Sequence, residues 1–189
     1  RTAAIIGKGV SPVPSLVAGC QTLQSAGANF IIIPCVSAHY FLEAVRQEIE
    51  LPILSIFDAV TESISSNHPH IQTVGLMGTT GTISGGHFQK CLNEAGLTTM
   101  VLDEARQSEV MSAIYDIKNS NPVRSRRQIS SDLAAIAETL VSKGAQGIIA
   151  GCTEIPLALR QKHLTVPYFD AITILAHAAI IEAGLTPAT

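Results

Sequence analysis

The sequence has no tryptophan, and only 4% of its 189 residues are aromatic. It is also poor in charge, since 14% of the residues are charged and the formal net charge is −3 at pH 7. Sites that bind single-stranded nucleic acid combine stacking aromatic rings with a positively charged groove. The low content of both residue types argues against a nucleic-acid partner.

Long apolar runs are lacking as well, although 47% of the residues are hydrophobic. No run approaches the length of about 18 residues that a membrane span requires. The apolar runs are as long as single strands, and glycine or proline interrupts them. This composition predicts a soluble globular protein with no membrane partner.

Paired cysteine motifs are the third absence. The four cysteines, Cys20, Cys35, Cys91 and Cys152, form no C-x-x-C pair and no regular spacing. That pattern argues against a zinc site and against a disulfide framework, and it is typical of a reducing compartment. We therefore expect a cytoplasmic protein without a bound metal.

The chain does contain a regular alternation of apolar strand-like runs and helical patterns. The pattern predicts strands at 30–33, 52–56, 73–78, 147–151 and 166–170. It predicts helices at 13–26, 38–49, 58–66, 84–95, 105–118, 123–143, 156–162 and 171–183. Alternating strands and helices indicate an α/β fold with mostly parallel sheets flanked by helices.

An internal repeat divides this α/β pattern into two halves. Residues 25–39 and 142–156 share the pattern S-x-G-A-x-x-I-I-x-x-C, which ends at Cys35 in one copy and at Cys152 in the other. Each copy continues through a helical segment to a short strand ending in aspartate, "LPILSIFDA" and "VPYFDA". The repeat predicts two pseudo-symmetric lobes with the active site in the cleft between them.

We assign residues 1–66 and 167–189 to the first lobe and residues 71–166 to the second. The strand that opens the second lobe, "TVGLMG" at 73–78, has no counterpart in the first half of the sequence. We therefore expect an opening strand and helix of the first lobe to precede Arg1.

The repeat places Cys35 and Cys152 at the C-terminal ends of equivalent strands, where open α/β sheets bind their ligands. A thiol has an ordinary pKa of about 8.5, which helix N-termini and cations lower. Two thiols that face each other can remove a proton from one face of a carbon atom and supply a proton to the other. This chemistry inverts a stereocentre without a cofactor. Cys20 and Cys91 lie on helical patterns without a repeat and are interpreted as core residues.

Several stretches of the sequence resemble the aspartate/glutamate racemase family, the cofactor-independent amino-acid racemases. They are "RTAAIIGKG", "FIIIPCVSAH", "GLMGTTGTI", "IIAGCTEIP" and "VPYFDA". The resemblance implies two α/β lobes, an active site between them, a small amino-acid substrate, no cofactor and a homodimer.

The resemblance also implies roles for individual residues. Cys35 and Cys152 match the catalytic pair, Thr153 matches a substrate contact, and Glu154 matches a carboxylate that orients or tunes the second thiol. Residues Val36, Ser37 and Ala38 match the turn that holds the substrate α-carboxylate. Arg1 matches an arginine near the substrate carboxylate. In the cluster "VRSRR" at 123–127, Arg124 is the better match to a basic substrate-binding residue of the family, and Arg127 is the alternative match. The other arginines of the cluster are interpreted as part of a solvated helix start.

The chain departs from the family pattern at Val36, where the family has asparagine. Loss of a polar contact can shift substrate specificity strongly, so the resemblance leaves open whether aspartate, glutamate or a related amino acid is the substrate. Decarboxylation of malonates, isomerisation of maleate and binding of an amino acid without catalysis stay as alternatives. His39 either stabilises the Cys35 thiolate or is an ordinary helix histidine, and the hydroxyls of Thr79, Thr80 and Thr82 are candidates to line the cleft.

Overall fold

The computed structural model describes residues 1–188 and shows a mixed α/β architecture. Within these residues the strands are β1 Ile31–Ile32, β2 Ile53–Leu54, β3 Thr73–Gly78, β4 Thr98–Met100, β5 Ile148–Gly151 and β6 Tyr168–Asp170. The α-helices are α1 Thr2–Ile5, α2 Val13–Ser25, α3 Leu42–Arg46, α4 Ile56–Asn67, α5 Thr80–Gly85, α6 His87–Glu94, α7 Glu104–Lys118, α8 Arg126–Val141 and α9 Ala171–Glu182. Short 3₁₀ helices span Val36–Phe41, Ile155–Leu157 and Gln161–His163.

The strands form two parallel sheets. One sheet pairs β1 with β2, and the other has the order β4-β3-β5-β6. Gly78 at the end of β3 lies opposite Gly151 at the end of β5. Because the strands are parallel, the residues that follow them, Thr79 and Cys152, emerge at the same edge of the sheet.

Glycine at both strand ends permits the close approach of β3 and β5. A Cβ atom at Gly78 would lie 3.0 Å from the carbonyl oxygen of Gly151, and one at Gly151 would lie 3.1 Å from that of Met77. Both distances are shorter than ordinary carbon–oxygen contacts, so a larger residue would push the strand ends apart. The edge that carries Cys152 therefore depends on these two glycines.

The large sheet separates two layers of apolar core because successive strand residues face opposite sides. Met77 and Ile148 pack with α7 and α8 on one face, whereas Leu76, Ile149 and Phe169 pack with α4, α6 and α9 on the other. A third, smaller core surrounds the β1–β2 sheet and is formed by Cys20, Ile31, Leu42, Val45, Ile49 and Ile53.

Helices α4 and α9 follow the repeat-related strands β2 and β6 and pack against each other. Each begins at a side-chain cap: Ser55 Oγ accepts a hydrogen bond from the Asp58 N–H at 3.2 Å, and the Asp170 carboxylate accepts from the N–H of Ile172 at 3.0 Å. Such caps satisfy N–H groups that the first helical turn leaves without partners. The packed pair connects the two sheets.

The predicted lobe boundaries differ from the strand pairing at one segment. Strand β6 pairs with β5 in the large sheet, although residues 167–189 were assigned to the lobe of β1 and β2. The following helix, α9, packs on α4, which leaves the small sheet after β2. Thr189 lies outside the described residues, and the division into two lobes stays a prediction.

No helix among residues 1–188 combines the length and the apolar character that crossing a membrane requires.

Candidate active site

Both repeat-related cysteines line one small cavity where the two sheets meet. Its volume is about 20 Å³, which is room for about one water molecule. The lining residues are Arg1, Cys35, Val36, Ser37, Thr79, Thr82, Lys118, Gly151, Cys152, Thr153 and Glu154. The cavity thus joins a thiol from the small sheet with a thiol from the large one.

Cys35 lies three residues beyond β1, has an extended conformation and is the N-cap residue of the 3₁₀ helix that begins at Val36. Its side chain is half-buried, and its Sγ lies 3.5 Å from the Ser37 Oγ. The Cys35 carbonyl oxygen accepts a hydrogen bond from the Ala38 N–H at 3.0 Å. The first thiol therefore has a hydroxyl as its polar neighbour.

His39 contacts the backbone of the Cys35 loop through its buried ring. Its Nδ1 lies 3.1 Å from the Cys35 carbonyl oxygen, and its Nε2 lies 3.4 Å from the carbonyl oxygen of Leu54 at the end of β2. Burial lowers the pKa of His39, so the ring is neutral and donates its single N–H to one carbonyl at a time. His39 connects the ends of β1 and β2 and contacts the backbone of Cys35 rather than its thiol.

Cys152 is buried at the end of β5 and donates a hydrogen bond to a carboxylate. Its Sγ lies 2.9 Å from the Glu154 Oε2. Burial, and after it the hydrogen bond to Glu154, raises the pKa of Cys152 to about 12. The second thiol is therefore protonated at neutral pH.

Glu154 accepts several hydrogen bonds within the cavity wall. Besides Cys152, the Thr153 Oγ1 donates to its Oε2 at 2.8 Å, and the Lys118 Nζ lies 3.3 Å from its Oε1. Burial alone would raise the pKa of Glu154, but these donors and the lysine charge outweigh it and hold the pKa below the usual value. The residue is a carboxylate fixed between a thiol and an ammonium group.

Two buried threonines form another part of the wall. The Thr79 Oγ1 caps α5 by accepting from the Thr82 N–H at 3.1 Å, and the two hydroxyl oxygens lie 3.1 Å apart. Thr80 is not among the lining residues, and its N–H points to the Met111 Sδ at 3.2 Å. Two of the three candidate threonines therefore reach the cavity.

Arg1 reaches the cavity at the start of α1, which packs on α5. A Cβ atom at Gly81 would lie 2.9 Å from the Thr2 Cα, so glycine at this position permits the contact. Val36 lines the cavity and also belongs to the apolar core next to the large sheet.

Two residues predicted to contact substrate do not line the cavity. Ala38 is buried in the 3₁₀ helix. Arg124 forms ion pairs with Asp116 and Asp132. The cation that the second half of the chain contributes to the wall is Lys118.

Lys118 is the residue that sequence reasoning missed. It ends α7 on the same helical stripe as Gln107, Met111 and Ile114, with spacings of four, three and four residues. Gln107 donates to the Gly78 carbonyl oxygen at the end of β3 at 2.9 Å. The stripe faces the C-terminal edge of the sheet, and this helical spacing was the available signal.

Thiols in the two halves of the cavity therefore differ in their surroundings. Cys152 is a proton donor held on a carboxylate, and Cys35 lies beside a hydroxyl. Together they can act as an acid and a base on opposite sides of a small molecule. Across residues 1–188, no group of three or more His, Cys, Asp and Glu side chains is arranged to hold a metal ion.

Comparison with known proteins identifies related racemases. Residues 2–179 match the Asp/Glu/Hydantoin racemase family. A broad specificity amino-acid racemase of Bacillus subtilis (strain 168) is 28% identical over 169 residues, which cover 88% of this chain and 70% of that protein.

Solved structures share the fold. The crystal structure of an aspartate racemase homologue from Pyrococcus horikoshii OT3 has a TM-score of 0.79 and 29% identity, covering 91% of this chain and 74% of that one. The aspartate racemase of Picrophilus torridus has a TM-score of 0.80 at 23% identity, over 96% of this chain and 74% of that one. At that identity the second likeness concerns the fold alone.

Proposed function

The chain belongs to the Asp/Glu/Hydantoin racemase family of isomerases, and on this premise we propose that it racemises an amino acid by proton transfer between Cys35 and Cys152. The observation that carries the proposal is the placement of both thiols in the wall of one cavity. The repeat alone brings equivalent strands to equivalent positions, but only a shared cavity lets two thiols act on one carbon atom.

In the proposed reaction the two thiols exchange roles. A Cys35 thiolate takes the proton from the α-carbon, so that a C–H bond breaks and an S–H bond forms. The electron pair left on the carbon is delocalised into the α-carboxylate, and Cys152 donates its S–H proton to the opposite face. The reverse reaction uses Cys152 as the base and Cys35 as the acid, so no other proton donor or acceptor is consumed.

Glu154 and Lys118 suit this exchange of roles at Cys152. The Glu154 carboxylate holds the S–H proton in place while Cys152 acts as the acid. After that proton leaves, a thiolate and a carboxylate lie within hydrogen-bond distance of each other, and their repulsion favours return of the proton. The Lys118 ammonium, 3.3 Å from Glu154, partly offsets this repulsion.

The polar part of the wall fits a carboxylate substrate. Two cations, Arg1 and Lys118, and the hydroxyls of Ser37, Thr79 and Thr82 line the cavity. Such groups bind carboxylate oxygens through charge-assisted hydrogen bonds. We propose aspartate, glutamate or a related amino acid as the substrate, with the apolar Val36 side chain limiting the choice among them.

The size of the cavity adds a requirement to this proposal. A cavity of about 20 Å³ has room for about one water molecule, which is less than an amino acid needs. The proposed reaction therefore includes separation of the walls that carry Cys35 and Cys152 before the substrate binds, and their closure would exclude water from the reacting carbon.

The proposal is tested by incubating the protein with single enantiomers of amino acids in deuterated water. We expect the opposite enantiomer to form with deuterium at the α-carbon, measured by chiral chromatography and mass spectrometry. Loss of carbon dioxide would instead indicate a decarboxylase. Binding of an amino acid without α-deuterium incorporation, for every amino acid tried, would contradict the racemase proposal.

A further inference from the structure

Arg124 lies outside the cavity but connects the two helices of the large sheet's outer layer. Its Nε donates to the Asp116 Oδ2 at 2.6 Å, its Nη1 to the Asp132 Oδ2 at 2.9 Å and its Nη2 to the Ser112 Oγ at 2.9 Å. Ser112 and Asp116 belong to α7, and Asp132 belongs to α8. The guanidinium group thus bridges both helices from the segment between them.

The Arg124 side chain is less exposed to solvent than the residues around it. Residues 118–128 are exposed apart from Arg124, whose side chain is 26% exposed. Asp116, its partner on α7, has a side chain that is only 13% exposed. Asp132 and Ser112, its other partners, are more exposed. A charge-assisted contact in which three donors of one guanidinium group bind two helices holds its partners more firmly than a single surface ion pair does.

The bridged end of α7 carries the cation of the candidate active site. Lys118 lies two residues after Asp116 in the last helical turn, and its Nζ lies 3.3 Å from the Glu154 carboxylate. Glu154 in turn accepts the hydrogen bond of the Cys152 thiol at 2.9 Å. Helix ends fray unless side chains hold them, so the place of Lys118 depends on what fixes the final turn.

We propose that Arg124 is a positioning residue, which pins the last turn of α7 to α8 and thereby holds the Lys118 ammonium on Glu154 in the cavity wall. The consequence for catalysis rests on the proposed racemase function. Arg124 then affects turnover through Lys118 and without touching the substrate.

The first experiment measures the reactivity of the lysine amine and does not depend on catalysis. Lysines of the intact protein are acetylated with limiting acetic anhydride, and the rate at Lys118 relative to Lys143 is followed by peptide mass spectrometry. We expect Arg124→Gln to raise this relative rate about threefold or more, because the amine leaves its carboxylate partner. Glu154→Gln, which removes that partner directly, serves as the positive control.

The matched control is Arg106→Gln on the same helix. Arg106 donates to Glu109 at 2.8 Å on an exposed face of α7 and has no contact with the cavity. We expect this variant to leave Lys118 acetylation unchanged. An unchanged acetylation rate in Arg124→Gln, or an equal rise in Arg106→Gln, would overturn the proposal.

Asp132→Asn separates positioning from a simple effect of charge. This variant loosens the α8 end of the bridge and removes a negative charge, whereas Arg124→Gln removes a positive charge. Positioning predicts a faster acetylation of Lys118 in both variants, and a charge effect predicts changes of opposite sign. Opposite signs would contradict the proposal.

The second experiment combines Arg124→Gln with Lys118→Met in an activity cycle. We expect Arg124→Gln alone to lower kcat/KM about tenfold, in the range that small displacements of positioning groups cost, and to have no further effect when Lys118 is already methionine. Equal losses in both backgrounds would overturn the role through Lys118. A wild-type protein without racemisation would contradict the proposed function, and the acetylation rates would still decide whether Arg124 positions Lys118.

Discussion

The two ends of the cavity come from equivalent places in an internal repeat, yet they differ in electrostatics. Cys152 is buried and donates a hydrogen bond to Glu154, which forms an ion pair with Lys118. Cys35 is half-buried and lies near the Ser37 hydroxyl, while His39 contacts its backbone. The repeat therefore explains why the two thiols occupy equivalent strand ends, and the residues that differ between the copies determine the polar neighbours of each thiol.

The largest effect on activity is expected from removal of either thiol. We expect Cys35→Ala and Cys152→Ala each to lower the rate of racemisation by about 1,000-fold or more, since each deletes one of two proton-transfer groups. The rate is measured by chiral chromatography. Cys20→Ala and Cys91→Ala are the controls, and a variant of Cys35 or Cys152 that keeps the wild-type rate would refute its role.

The next largest effect is expected from Glu154→Gln, which removes the charge beside Cys152 but keeps a hydrogen-bonding side chain. We expect kcat/KM to fall about 100-fold, the contribution of a positioned acid–base partner. The pKa of Cys152 should fall as well, because the carboxylate raises it second only to burial. Alkylation of Cys152 by iodoacetamide at pH 9, followed by peptide mass spectrometry, should therefore become faster than in the wild type.

Glu109→Gln is the matched control for this prediction. Glu109 accepts a hydrogen bond from Arg106 on the surface of α7, away from the cavity. We expect neither kcat/KM nor the alkylation of Cys152 to change in this variant. Slower alkylation in Glu154→Gln would contradict the electrostatic account of the Cys152 end.

The smallest effect concerns the Cys35 end and is a change in stability. His39→Phe removes the ring N–H that lies between the carbonyl oxygens of Cys35 and Leu54, and we expect a loss of about 0.5–1.5 kcal/mol in the free energy of unfolding, the net contribution of one hydrogen bond. Urea unfolding measures this loss. His87→Phe is the control, because this ring is exposed and its Nδ1 lies 2.9 Å from the Gly85 carbonyl oxygen. We expect a smaller loss in this variant, and an equal loss would contradict the role of His39 in connecting the ends of β1 and β2.

The same variant tests the pH dependence of stability. Burial lowers the pKa of His39 in the folded protein, so the unfolded chain binds the proton first as the pH falls. The neutral ring stabilises the folded protein fully above a pH of about 6.5, the ordinary pKa of histidine in the unfolded chain. This stabilisation is lost as the pH falls from that value toward the lower pKa of His39 in the folded protein. Below pH 6.5 we expect the free energy of unfolding to fall less steeply with pH in His39→Phe than in the wild type. An unchanged pH dependence in the variant would contradict this role of His39.

The general architecture could be predicted because strand patterns are local signals and because the repeat shows which strands are equivalent. The strands at 73–78 and 147–151 were confirmed almost to the residue. Strand β4 and helix α5 were missed: β4 consists of Thr98–Met100 between two helices, and α5 lies in a glycine-rich stretch that reads as a turn. The predicted helix at 38–49 is a 3₁₀ helix followed by α3.

The site was predictable to the extent that it depends on strand ends. The repeat and the family resemblance select Cys35, Ser37, Cys152 and Glu154; these residues line one cavity, and their roles stay a prediction. Arg124 was predicted and Lys118 was missed, because the helical spacing that places Lys118 on one face of α7 does not by itself show which cation of the α7–α8 region faces the cavity. In the structure Arg124 instead forms ion pairs with Asp116 and Asp132.

The most direct test of the two-thiol account measures deuterium exchange separately on each enantiomer in the two alanine variants. With one thiol left, a proton can leave and a deuteron can return only on the side of that thiol. The account predicts that Cys35→Ala and Cys152→Ala incorporate α-deuterium into opposite enantiomers, each without inversion. Exchange of the same enantiomer by both variants, or racemisation by either one near the wild-type rate, would contradict it.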